Sequence, residues 1–63
     1  MKEYLVYIHR KAKNFQMDYT FAGLAVIEAS HGEQALTLAN QHAAHMTSID
    51  KHFDFIVVDL KAL

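Results

Sequence analysis

Ser30-His31-Gly32-Glu33, running on into Gln34-Ala35-Leu36, is the stretch on which the fold turns. A serine followed three residues later by a glutamate is a capping box: the Ser30 hydroxyl accepts from the Glu33 amide, and Glu33 reaches back to the amide of Ser30. A helix is predicted to start here. At 100° per residue, Gly32, Ala35, Leu36, Ala39, Ala43 and Met46 fall within an arc of about 100° and make one core stripe. Alanines on that stripe let a helix lie close to a sheet. The helix is expected to run to about Met46, with Thr47-Ser48-Ile49-Asp50-Lys51-His52 as the connection.

Strand-like segments lie on both sides of it. Tyr4-Leu5-Val6-Tyr7-Ile8 is rich in β-branched and aromatic residues and runs into the polar Arg10-Lys11-Ala12-Lys13-Asn14, a strand ending in a turn. Phe15, Met17, Tyr19 and Phe21 alternate with Gln16, Asp18, Thr20 and Ala22, the period of a half-buried second strand. Gly23 breaks the phase before Leu24-Ala25-Val26-Ile27, which predicts a bend or bulge there. Ala12, Phe15, Tyr19 and Ala22 also fit helical spacing, so a short helix over residues 11–22 competes with that strand. Phe53-Asp54-Phe55-Ile56-Val57-Val58-Asp59-Leu60 is a nearly continuous apolar run, the pattern of a strand covered on both faces. The expected fold is α/β of the α+β kind, in the order β-β-α-β, with one helix on one face of a three-stranded sheet. That helix leaves the second sheet face open, with large apolar groups expected on it from all three strands.

Hydrophobic residues make up 52% and charged residues 21% of the chain, the balance of a folded protein and not of a disordered one. Sixty-three residues form a single expected domain, 1–63, that buries only about 60% of what its unfolded chain exposes. With no cysteine there are no disulfides, so one thin core supplies about 3–5 kcal/mol or less. Self-association is the expected supplement. The lack of cysteine fits a reducing cytosol, and no apolar stretch behind Met1-Lys2-Glu3 has the length of a signal peptide or membrane span. The expected location is cytoplasmic, with no membrane partner. Formal net charge is −1 and unevenly placed: Lys2, Arg10, Lys11 and Lys13 face only Glu3 in residues 1–14, and acids prevail beyond.

Gly23, Val26, Ala29, Gly32-Glu33-Gln34-Ala35-Leu36 and Phe53–Leu60 together resemble the middle of a response-regulator receiver domain, where the aspartate matching Asp59 accepts a phosphoryl group. The acidic pair of that family would fall near Ile8, His9 and Arg10, and the later strands with their Thr and Lys do not exist here. Without those acids no Mg²⁺ site forms and phosphoryl transfer is not carried over, which leaves a generic strand-helix-strand unit. In size, lack of Cys and element order the whole chain also looks like the short accessory proteins of phages and other mobile elements, including anti-CRISPR inhibitors of host defence. That resemblance implies a protein that binds a host factor or itself.

Candidate chemistry is sparse. His42 and His45 are spaced i, i+3 with His52 just beyond, but they lack a nearby acid to complete a tetrahedral zinc set unless Asp50 or His52 folds back. His31 and His42 lie about 16 Å apart along a helix axis and cannot share an ion. No metal and no cofactor is expected. Asp54 and Asp59 lie in the last apolar run, with no nucleophile elbow, Gly-rich phosphate loop or acid–base pair near them, and the chain is too short to enclose a substrate. The chain is read as a non-enzyme with no small-molecule substrate. Leu38 projects off the core stripe beside His31, His42 and His45, a candidate contact patch. The expected function is a protein-interaction module, most simply a homodimer, with Tyr7, Phe15, Tyr19 and Phe55 on the sheet and Leu38 and His42 on the helix edge as partner-binding residues. The alternative is nucleic-acid binding through Arg10, Lys11 and Lys13.

Overall fold

The structure is a computed structural model that describes residues 1–14 and 18–63. Its elements are β1 (Lys2–Ala12), β2 (Thr20–Ala29), α1 (Gly32–Ile49) and β3 (Phe53–Ala62). The β-β-α-β order and the single helix are as expected. The three strands form one sheet in the order β2-β1-β3, and β1 pairs antiparallel with both neighbours. The first strand therefore lies in the middle, and the helix carries the chain from one edge to the other.

Even-numbered residues of β1 face the helix. Tyr4, Val6 and Ile8 are buried there with Ala35, Ala39 and Ala43 of α1 and Ala29 of β2. Ala25, Ile27, Phe55, Val57 and Leu60 fill in around them. Four of these seven buried residues are alanines, and Val6 alone is a large side chain with no exposure. Alanine brings the helix close but buries little area, so the hydrophobic stabilisation is small. The buried helix row is narrower than the stripe read from the sequence. Gly32 and Met46 are half-buried, and Leu36, a step round the helix from Ala35, is 45% exposed. Three strands under one helix cover a narrow line and leave Leu36 beyond it.

The reciprocal capping expected at Ser30 and Glu33 is present one residue later. His31 is the N-cap, with Nδ1 accepting from the Gln34 amide at 3.2 Å, and the Gln34 side-chain oxygen accepts from the Ser30 amide at 2.6 Å. An imidazole nitrogen can do the work of the hydroxyl, and the shift leaves the Ser30 amide free to take Gln34. The helix also ends later, at Ile49, because two polar devices hold its last turn. The Lys13 ammonium donates to the carbonyls of Thr47 and Asp50 at 2.8 and 2.5 Å, meeting exposed acceptors where the helix dipole favours a cation. One Asp50 carboxylate oxygen accepts from the amides of His52 and Phe53 at 2.7 and 2.9 Å, which folds the chain into β3.

Those amides, His52 first and Phe53 next, lower the Asp50 pKa from its usual 3.8 against an opposing desolvation, with the charges of His52 and Lys13 adding to the lowering. A folded-state pKa below the unfolded one means that the carboxylate stabilises the fold above the unfolded value, and that this contribution fades as pH falls through the lowered one. Asp50→Ala is therefore expected to melt below the wild type at neutral pH, with the gap narrowing in melts at pH 3 and below. A gap that does not change with pH would remove the charge from this account.

Four other expectations change. The first strand continues to Ala12, so Arg10, Lys11 and Ala12 are strand residues and only Lys13 and Asn14 lie in the turn. The second strand starts at Thr20, not Phe15: Phe15 and Met17 lie outside the described residues, and Asp18 and Tyr19 precede the strand. No helix occurs over the described part of 11–22. The bulge falls at Ala22, next to Gly23, where Ile8 pairs with Gly23 and His9 with Phe21. Finally, β3 is an edge strand with the helix on one face only, not a strand covered on both; of its apolar run, Phe55, Val57 and Leu60 pack against the core.

Candidate protein-interaction surface

Strand alternation puts Leu5, Tyr7 and His9 of β1 on the face away from the helix. The register then aligns Leu5 with Val26, Tyr7 with Leu24 and His9 with Phe21 on β2. These pairs form a continuous apolar band. Phe21, Leu24 and Val26 are 58%, 54% and 55% exposed, whereas their β1 partners are half-buried between two neighbours. The His9 imidazole meets the Phe21 ring edge-on, with centroids 6.1 Å apart.

The β3 side of the same face is different. Lys61 stands opposite Leu5, Asp59 opposite Tyr7, Ile56 opposite His9 and Asp54 opposite Lys11. Apart from Ile56 that row is charged, and the Lys61 ammonium sits 5.5 Å from the Tyr7 ring. Glu3 and Glu28 oppose each other at one end of the band. The open face is thus apolar over β1 and β2 and charged over β3, where apolar groups from all three strands were expected.

On the helix side, α1 packs mainly against β3 and less against β2 and β1. Its displacement leaves a groove of about 380 Å³, with Ala22, Gly23 and Ala25 of β2 and Ile8 on the sheet side, His42 and Met46 on the helix side, and Arg10 and Phe55 also lining it. A Cβ on Gly23 would meet nothing within 4 Å. The groove and the apolar band therefore flank the same strand, β2.

Among the expected partner-binding residues, Tyr7 is on the open face. Phe55 is not: it pairs with Arg10 and packs beside Val6, Ile8 and Ala39 under the helix. Phe15 lies outside the described residues. Tyr19 is half-buried ahead of β2, with the Lys11 ammonium 5.3 Å from its ring. Leu38 is exposed, as expected for a residue off the stripe, and His42 borders the groove. His31 is committed to capping and leaves the Leu38 patch. Tyr7 therefore lies on the open face, away from Phe55 and His42, which both line the groove on the helix side, and the candidates do not form one surface. Phe21, Leu24 and Val26 were not singled out. Their signal was parity, because Glu28 shares the phase of Leu24 and Val26 and marks the solvent side of β2.

The basic residues diverge. Arg10 points to the helix side, 4.3 Å from the centre of the Phe53 ring; Lys11 points to the open face; Lys13 is held by the end of the helix. Asp59 is exposed on the open face and accepts from the amide of its own neighbour Leu60. Among the described residues no three His, Asp or Glu side chains gather in a way that could hold an ion, and no helix is long and apolar enough to cross a membrane. Comparison with protein-family models, curated proteins and solved structures finds no match for this chain.

Proposed function

We propose that this chain is a small protein-interaction module that works through the apolar half of its open sheet face, and that its first partner is a second copy of itself. The supporting observation is the row Phe21, Leu24 and Val26, three large apolar side chains side by side and each more than half exposed. Single exposed apolar residues are ordinary, but a contiguous patch rimmed by charge marks a contact surface. The small, alanine-rich core gives a second reason, since burying that row on association adds stability that the single chain lacks.

Sedimentation or light scattering from micromolar to sub-millimolar concentration tests this directly. The mass is expected to rise from that of one chain to that of two, with the melting temperature rising alongside. A chain that keeps the mass of a monomer throughout would end the self-association reading.

A further inference from the structure

We infer that the second copy joins along the edge of β2, so that two chains share one continuous six-stranded sheet about a twofold axis; this rests on the self-association proposed above and names its geometry. An exposed strand edge offers unpaired amides and carbonyls to any other strand, and folded proteins usually block it with charge, bulges or a covering element. The two edges of this sheet differ in that respect. On β3 the Thr47 hydroxyl accepts from the Phe55 amide at 2.8 Å and donates to the Phe55 carbonyl at 3.3 Å. The pairing with β1 skips Val58, and Asp54, Asp59 and Lys61 punctuate the strand.

β2 has little of this protection. From Thr20 to Ile27 it carries no charge and no proline, and among the described residues no side chain or helix group bonds to its backbone. Its one irregularity, at Ala22, lies near the start. Its open-face row lacks apolar neighbours on the outer side only, and the same row from a second copy supplies them. With the axis at Ala25, Leu24 of each chain faces Val26 of the other, while each Glu28 faces Ala22 and the two carboxylates stay at opposite ends. Pairing β2 with itself closes after two chains, whereas pairing β2 with β3 of another copy would leave free edges and grow.

Amide hydrogen exchange at low and high concentration tests this, run beside sedimentation. In an edge strand, alternate amides point outward and exchange fast. At concentrations where the mass is that of two chains, the outward amides of β2 are expected to slow by about tenfold or more. A dimer in which they remain fast would overturn edge pairing and leave self-association standing; a persistent monomer would end both. Single cysteines in this cysteine-free chain add a second readout. Ala25→Cys lies on the helix side, so a short bifunctional maleimide can link two copies there only if the edges meet. Linkage at Leu24→Cys and Val26→Cys without linkage at Ala25→Cys would mean that two open faces meet, and would overturn the proposal.

Discussion

Ala39→Leu is expected to cost a large part of the stability of the fold. Ala39 is 1% exposed and packs in one cluster with Val6 and Ile8 of the central strand. Three added carbons have no space there without lifting the helix, and overpacking a tight core costs about 1–3 kcal/mol. That is a large share of the roughly 3–5 kcal/mol available to a scaffold of this size. At about 4–8 °C per kcal/mol for so small a domain, the melting temperature should fall by about 4–24 °C. Leu36→Ala is the control, because a residue 45% exposed should change stability by no more than about 0.5 kcal/mol. Both are to be measured at one fixed protein concentration, since association shifts the melt. If Ala39→Leu melts with the wild type, the helix does not sit where it is described.

The second large effect is on assembly. Leu24 and Val26 each have about half of their surface exposed, so their contact is worth up to about 1 kcal/mol apiece, half the usual value for fully burying such a side chain. Replacing both with lysine removes that gain and places two cations from each copy, four in all, in an apolar contact. The dimer should weaken by at least roughly a hundredfold, at about 1.4 kcal/mol per factor of ten. Because both side chains point away from the helix, circular dichroism should show the fold intact. Asp59→Asn and Lys61→Ala, on the charged β3 half, should leave the dissociation constant within about threefold of wild type, as expected for exposed charges. An unchanged constant in the Leu24→Lys, Val26→Lys double variant would remove the apolar band from the interface.

Much of the fold was legible in local pattern. The alanine periodicity and the polar residues ahead of it place the helix, and the β-branched runs place the strands. Features set by distant contacts were not legible. Nothing near Asp50 in sequence announces that Lys13 will reach its carbonyl and extend the helix to Ile49. The run Phe53-Asp54-Phe55-Ile56 has no clear alternation, so the side taken by Phe55 is fixed only once it pairs with Arg10. The same holds for the candidate surface. Leu24 and Val26 are ordinary strand residues until β2 is known to be an edge, and strand order is not a local property.

The pairing of β1 with β3 also has a consequence in time. Tyr4 lies opposite Ala62 and the Leu63 amide donates to the Glu3 carbonyl, so the central strand finds its second neighbour far away in sequence. Contacts that distant require closing a long loop before they repay its entropy, which slows folding. The β1–β2 hairpin is local and can form first. During synthesis that hairpin and α1 both precede residues 53–62, so α1 waits without the strand it mainly packs against while Phe21, Leu24 and Val26 stay exposed on the other face. Before β3 docks, the fold exposes more apolar surface than it does afterwards, and early encounters between two such copies would meet along the same β2 edge.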